Sequence, residues 1–537
     1  MTIAARVAAV GLVGLALTLR LHHLGMEELW LDEAFSYRDV TVATWLHDLR
    51  LKDVPPLYPM LLRAWIGLAG DGEAALRALS AVSGTLFVAA TMWAGRELFD
   101  ARTALWSGLV AAISPIAVYY AQEVRPYALL AALVACTWAL MSRALRLGTP
   151  SAWALAVLAV AAVLHTHYLG GLAILPMALL AASTPHLGSW RRGLVALAAG
   201  GLLFAPWVLW SFVLTTHPFG GTGWIGAAWA STPPWLALPR SLEVLLLGGE
   251  AGRVPITLKQ FDTLAFPALL RTVCLGAFVA LALASIVRAG GHARRLRVVA
   301  LWVALLFPVL LLWTASWVTP LYLVGRYDQL ALPPLVLLCG VGLARIAYWP
   351  RRRALAVLVT LGLLGPMVVK LGLYFREPAR NLARSRSAAR AVAAHVATGD
   401  LVLFTDLRGH TVGYQLAQLG WHVRDGWCTE GAAGRRVGCH AVPRQMGPLP
   451  VAEDWARVAS DPTLTRTDLE EYLGALPPAH NRAVHVVLST WSVDAGAVSV
   501  STADAALLRT LETLGFRMVG FDPDVGVAVY RVSVARR

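Results

Sequence analysis

Two carboxylates stand side by side, Asp32 and Glu33, in the segment Trp30-Leu31-Asp32-Glu33-Ala34-Phe35-Ser36. An adjacent acid pair can take a proton as a general base, hold an acceptor by hydrogen bonds or bind a metal ion. It can equally be a solvated turn, but the bulky neighbours Trp30, Leu31 and Phe35 favour a segment packed at an apolar surface. Downstream, Pro55-Pro56-Leu57-Tyr58 interrupts an apolar run, and Ser114-Pro115 leads into Tyr119-Tyr120-Ala121-Gln122-Glu123-Val124-Arg125-Pro126-Tyr127. Glu123 and Arg125 can pair with each other or bind a ligand. His165-Thr166-His167-Tyr168 sets two imidazoles one residue apart, a spacing more typical of a hydrogen-bonded turn than of a metal site. Finally, Leu323-Val324-Gly325-Arg326-Tyr327-Asp328 shortly precedes Pro333-Pro334. Arg326 offers a planar donor fork that suits a phosphate, or a cation that snorkels to lipid headgroups.

The elements that must position these groups are apolar helices. Of the 537 residues, 57% are hydrophobic and 15% charged, and mean hydropathy is +0.61. A soluble chain is about a quarter charged, so these figures exclude a soluble enzyme and a disordered chain and indicate a polytopic membrane protein. Eleven apolar stretches are long enough to be candidate spans: 3–19, 78–95, 103–120, 126–142, 152–166, 168–184, 193–213, 269–287, 298–317, 329–347 and 354–374. The net charge of +14 lies in short Arg clusters between spans, which argues against nucleic-acid binding. With the N-terminus in the cytoplasm, the clusters at Arg143/Arg146, Arg191/Arg192, Arg294/Arg295/Arg297 and Arg351/Arg352/Arg353 all fall on the cytoplasmic side. The C-terminal segment is then extracytoplasmic. The centres of the spans carry no Asp, Glu, Lys or Arg, which disfavours pumps and ion-coupled carriers.

Between the first two spans, residues 21–75 form the first outer loop. Val42–Leu51 and the stretch to Leu68 read as two short interfacial helices broken at Pro55-Pro56. Residues 376–537 are more highly charged and alternate strand and helix signals: a helix near 384–397, strands at 400–406, 484–489 and 526–532, and an amphipathic helix at 505–514. A small α/β domain follows from that alternation. Cys136, Cys274 and Cys339 fall in spans as apolar fillers. Cys428 and Cys439 lie in the outer domain, where oxidation is permitted, and are either a disulfide or two free thiols.

The order of the acid pair, the Pro-Pro-Leu-Tyr segment, the Tyr119–Tyr127 segment and Gly325-Arg326-Tyr327…Pro333-Pro334 resembles the bacterial membrane glycosyltransferases of family 39. These are relatives of the protein O-mannosyltransferases and aminoarabinose transferases. The resemblance covers roughly residues 5–375 and implies a C-type glycosyltransferase fold, with residues 1–375 as the transmembrane domain and 376–537 as the extracytoplasmic α/β domain. It implies a polyprenyl-phosphate-linked sugar as donor and an extracytoplasmic acceptor, which can be a glycan, a lipid or a protein. The acidic motif of the family falls on Asp32 and Glu33, as catalytic groups or as ligands of an optional divalent metal. The phosphate-side arginine falls on Arg326, with Arg125 as second choice, and Glu123, Tyr127 and Tyr327 would flank the donor. Pro56, Tyr58, His165, His167 and Tyr168 would wall the pocket. Many relatives have a His before the two prolines; Val54 occupies that place here, with Asp53 before it, so the acceptor side departs from the family pattern. Two other classes remain open on sequence alone: a transporter or flippase of lipid-linked sugars, and a non-catalytic glycan-binding scaffold.

Overall fold

A computed structural model describes residues 2–42, 45–51, 54–183, 189–213, 237–248, 267–286, 291–347 and 353–376. Of the C-terminal part it describes 384–396 and shorter segments from 401 to 532. Two compact units result: Met1–Met26 with Asp39–Arg380, and Glu27–Arg38 with Asn381–Arg537. The acid pair therefore groups with the C-terminal unit, whereas the sequence reading assigned it to the first outer loop of the membrane domain.

The first unit is helical. Its elements are α1 (Ile3–Leu21), α3 (Trp45–Leu51), α4 (Leu57–Ala69), α5 (Glu73–Leu98), α6 (Ala101–Ile113), α7 (Pro115–Ala121), α8 (Tyr127–Leu147), α9 (Pro150–Thr166), α10 (Ile174–Ala182), α11 (Ser189–Val208), α12 (Ala237–Leu247), α13 (Ala268–Ile286), α14 (His292–Ala315), α15 (Leu332–Ile346) and α16 (Arg353–Arg376). The helix α2 (Leu31–Thr41) begins in the second unit. Among the described residues, eight helices are long and apolar enough to cross a membrane. The pair α6 and α7 would make a ninth span bent by 62°. The stretches expected at 152–166 and 168–184 are the shorter apolar helices Pro150–Thr166 and Tyr168–Ala182. Over most of their described residues, all eleven stretches are thus helical. The expected interfacial helices appear as α3 and α4, on either side of Pro55-Pro56.

The bend has a local cause. Pro115 has no N–H to continue the ladder, so a new helix starts there. Ser114 caps it, its Oγ accepting the Ala117 N–H at 3.4 Å. Around this break α5 packs on α1, α6 and α8, and α15 packs on α6, α13 and α14. Small residues let the backbones approach: a Cβ on Gly340 of α15 would lie 1.9 Å from Ser107 Oγ of α6. That is the packing expected where lipid supplies no hydrophobic drive and close van der Waals contact must hold helices together. At the end of the bundle that carries the Arg clusters, Glu97 accepts Arg146 at 2.8 Å and Arg143 at 3.6 Å. Arg297 donates to Leu98 O at 2.7 Å, and Arg345 to Ser285 O at 2.9 Å. These arginines thus also satisfy carbonyls left open at helix C-termini.

The second unit is α/β. Among its described residues are α17 (Ser385–His395), α18 (Arg408–Gln418) and nine strands: β1 (Leu401–Thr405), β2 (Trp421–Arg424), β3 (Trp427–Glu430), β4 (Arg436–Val442), β5 (Ala483–Val487), β6 (Trp491–Asp494), β7 (Ala497–Val500), β8 (Phe516–Asp522) and β9 (Val527–Val532). Seven form one sheet in the order β2-β3-β4-β1-β5-β9-β8, with β1 parallel to both β4 and β5. Leu403, Val484 and Val486 are fully buried, as expected of central parallel strands. The three strands read from the sequence are β1, β5 and β9; the other described strands, among them β4 parallel to β1, escaped that reading. Of the helix expected at 505–514, residues 508–509 and 511–513 are described and helical. The Cys428–Cys439 pairing concerns side chains outside the described ones.

Candidate active site

The segment after the bent helix is fixed by backbone carbonyls that the bend and the end of α1 leave open. Arg20, fully buried at the end of α1, donates from Nη1 to Ala112 O at 3.2 Å and from Nη2 to Ala111 O at 3.1 Å. Gln122 Nε2 donates to His22 O at 2.7 Å and Arg20 O at 3.0 Å. Tyr374 Oη of α16 closes the cluster by donating to Gln122 Oε1 at 2.8 Å. Glu123 and Arg125 follow directly, so their backbone is anchored to α1, α6 and α16. The Arg125 carbonyl accepts Ser80 Oγ at 3.4 Å, and Ser80 Oγ lies 3.2 Å from Tyr58 Oη. Tyr58, expected in the pocket wall, is buried there on α4, with Pro56 buried just before it.

A second anchor holds Arg326. Gly325 has φ +78°, a conformation that suits glycine and few other residues. Its N–H donates to Asp328 Oδ2 at 3.1 Å. Its carbonyl accepts Gln329 Nε2 at 2.8 Å and also Tyr120 Oη. Tyr322 Oη donates to Asp328 Oδ2 at 3.2 Å and is itself hydrogen-bonded to Ser241 Oγ of α12. One residue is therefore gripped at both its N–H and its carbonyl, and Arg326 is the next residue. Tyr120 belongs to the Tyr119–Tyr127 segment, 205 positions away in sequence.

Aromatic rings join the two anchors. Tyr120 and Tyr127 have ring centroids 4.7 Å apart, Tyr127 and His167 5.9 Å, and His167 and Tyr327 6.2 Å. The Arg125 guanidinium carbon lies 5.8 Å from the Tyr127 centroid, a cation–π distance. Burial, aided by the Arg125 charge, pushes His167 down to about 4, so its imidazole is neutral near pH 7. Burial likewise lowers Arg326 from its ordinary range; the surroundings disfavour its charge, and an arriving phosphate would relieve that.

The residues expected in the pocket wall separate here. His167 lies with Tyr127 and Tyr327. His165 instead bonds its own helix, Nδ1 to Ala161 O at 2.8 Å, and its ring meets Phe204 at 4.9 Å. Tyr168 Oη accepts Trp207 Nε1 at 3.1 Å. His165 and Tyr168 thus pack toward α11, because a helix end turns residues two positions apart to different faces.

In the second unit, Asp32 and Glu33 lie in the first turn of α2, not in a turn or loop. Glu33 is fully buried, and its Oε2 accepts the N–H of Trp30, the residue before the helix, at 3.2 Å. That is one half of a capping box. Asp32 is partly exposed, and its backbone carbonyl accepts Ser36 Oγ at 3.0 Å. Among the described residues no three His, Cys, Asp or Glu side chains gather as a metal-ligand set. Arg20, Gln122, Tyr120, Asp328 and Gln329 escaped the sequence reading as site-forming residues. Tyr120 and Gln122 were within reach of it, since both lie inside the motif already singled out.

The chain has the C-type glycosyltransferase fold. Residues 53–210 match the family of dolichyl-phosphate-mannose-protein mannosyltransferases, the type that the motif order resembles. In structure the chain is similar to ArnT from Cupriavidus metallidurans crystallised with undecaprenyl phosphate, at 17% identity and TM-score 0.62 over 98% of both chains. The apo state of that protein gives 16% and 0.60, again over 98% of both. The archaeal oligosaccharyltransferase AglB from Archaeoglobus fulgidus, in complex with an inhibitory peptide and a dolichol-phosphate, gives 12% and 0.54 over 90% of this chain and 69% of that one. No curated protein matches the chain.

Proposed function

We propose that this protein is a membrane glycosyltransferase that moves a sugar from a polyprenyl-phosphate donor to an extracytoplasmic acceptor, with inversion. One observation carries the reading. The Tyr120 hydroxyl grips the Gly325 carbonyl and so joins the segment bearing Arg125 to the turn bearing Arg326. Arg125 thereby borders one cluster of tyrosines and a neutral histidine, and Arg326 precedes Tyr327 of that cluster in the chain, an arrangement suited to a phosphate followed by a sugar ring. The matched family, and the undecaprenyl phosphate on the similar ArnT structure, support the same donor class.

The chemistry follows from charge. The acceptor hydroxyl attacks the anomeric carbon as the bond from that carbon to the phosphate oxygen breaks. The hydroxyl proton passes to a carboxylate, and the polyprenyl phosphate leaves as an anion. Donors already in place stabilise that anion best, since they need not reorganise during the reaction; Arg326 has this role, with Arg125 beside Tyr127 as its second. Asp32 is the general base, because Glu33 is buried and occupied with capping α2; Glu33 holds the helix.

The test uses purified full-length protein with undecaprenyl phosphate, and with undecaprenyl-phosphate-linked mannose and aminoarabinose. Wild type should bind the lipid phosphate and, given cell-envelope extract, strip sugar from at least one donor. Asp32→Asn should cut turnover by roughly 10²–10⁴-fold, the worth of a positioned base, with undecaprenyl phosphate binding intact. Arg326→Ala should weaken that binding by on the order of 1.5–3 kcal/mol, and Arg326→Lys by less. Normal binding in both variants would make Arg326 a headgroup anchor and pass the role to Arg125. Absence of binding and of sugar loss in wild type would refute the reading.

A further inference from the structure

The acid pair sits on a short helix with two aromatic contacts to α18, and the segment just before it is bonded to the start of α17. Glu28 Oε2 accepts the Ser385 N–H at 2.6 Å, taking up one of the open donors at the start of α17. Ser385 Oγ in turn lies 2.9 Å from Thr411 Oγ1 and so ties α17 to α18. On α2 itself, Phe35 meets the His410 ring with centroids 4.5 Å apart, and Tyr37 meets Tyr414 edge-on at 5.1 Å. His410 and Tyr414 are four residues apart on α18, so they present one face. Phe35 and Tyr37 flank Ser36, whose hydroxyl bonds back to Asp32 O. Beneath, Val412 and Leu416 of α18 are fully buried in one cluster with Ala388, Val392 and Val402. The α18 face is thus backed by a packed core.

From these contacts we infer that the C-terminal unit is the platform of the acid pair: Ser385, His410 and Tyr414 are positioning residues that hold α2, and with it Asp32, in its working orientation. The inference rests on the reading of Asp32 as the base, and it assigns the C-terminal domain a part in the transfer step. The physical argument is one of precision. A seven-residue or eleven-residue helix alone in water is marginal, and a base misplaced by about 1 Å can cost about 10²-fold in rate. An aromatic pair on a rigid helix supplies that precision without touching substrate.

The test compares full-length His410→Ala and Tyr414→Ala with His410→Phe and Tyr414→Phe, which keep the rings. Two readouts are taken: hydrogen exchange of the peptide covering 27–38, and turnover of an undecaprenyl-phosphate-linked sugar alongside undecaprenyl phosphate binding. The Ala variants should exchange faster in 27–38 and lose about 10²-fold in kcat, with lipid-phosphate affinity unchanged. The Phe variants should restore both. Unchanged exchange in the Ala variants would overturn the platform outright. Faster exchange with normal turnover, while Asp32→Asn is inactive, would overturn the positioning role. Faster exchange with normal turnover, while Asp32→Asn is also fully active, would instead overturn the assignment of Asp32 as base and leave the docking of α2 intact. Should an Ala variant fail to fold, Tyr37→Leu on α2 tests the same contact from the other side.

Discussion

The hydroxyl of Tyr120 makes a single hydrogen bond to the Gly325 carbonyl, yet it links the two arginine-bearing segments. Tyr120→Phe removes that donor and leaves the ring against Tyr127. A buried hydrogen bond is worth about 0.5–1.5 kcal/mol, and the loss should appear as roughly a 2- to 10-fold weaker undecaprenyl phosphate affinity. Binding titrations on wild type and variant check it; unchanged affinity would mean that Gln329 alone holds the carbonyl. His167 gives a second prediction at this scale. Its folded value of about 4 lies below the unfolded value near 6.5. Stability linked to it is therefore complete above pH 6.5 and falls as pH drops from 6.5 toward 4. His167→Phe cannot titrate, so its Tm should fall less than that of wild type between pH 7 and pH 4.5. Equal slopes would show that the imidazole is not held neutral. The motif order singled out Arg125, Tyr127, His167, Arg326 and Tyr327 as candidates, and the structure brings Arg125, Tyr127, His167 and Tyr327 into one run of contacts. The sequence did not separate His167 from His165, since that depends on where α9 ends. Nor did it show the grip on Gly325, which is built by residues distant in sequence.

At the scale of elements, the apolar stretches predict the helices well because length and hydropathy alone decide whether a segment can satisfy its backbone in lipid. What hydropathy does not encode is interruption. The bend at Ser114-Pro115 lies inside an apolar run, and the capping of α2 by Glu33 turns an expected loop into a helix. The packing of α15 on α6 is likewise invisible to hydropathy, because it depends on what lies across from Gly340. Gly340→Ala tests it. The new Cβ would meet Ser107 Oγ at 1.9 Å and Ser107 N at 2.8 Å, and the backbone contact cannot be relieved by a rotamer. Overpacking of this kind costs about 1–3 kcal/mol, so thermal unfolding in detergent should move down by several degrees. Ser107→Gly should recover part of that loss in the double variant. An unshifted Tm in Gly340→Ala would show that the two helices do not approach this closely.

For the whole molecule the question is which way it faces, since the proposed use of a lipid-linked donor outside the cytoplasm demands one orientation. The asymmetry of arginine supplies the argument. With the N-terminus inside, 15 basic residues against Glu97 and Asp100 fall on the cytoplasmic side of residues 1–375. The structure adds a reason for some of them: Arg143 and Arg146 pair with Glu97, Arg294 lies 3.4 Å from Asp100, and Arg297 and Arg345 close helix ends. Arg191, Arg192 and the run Arg351-Arg352-Arg353 add to the positive charge that the positive-inside rule reads. We therefore expect reporter fusions after Arg146, Arg192 and Arg353 to be active as cytoplasmic fusions. Fusions within 376–537 should be active only as exported ones. Replacing Arg351, Arg352 and Arg353 by Gln should weaken that bias and yield a mixed population at the C-terminal fusion. A C-terminal unit found in the cytoplasm would place α2 and its acid pair on the side where sugars arrive on nucleotides instead of lipids, and the proposed reaction would fall with it.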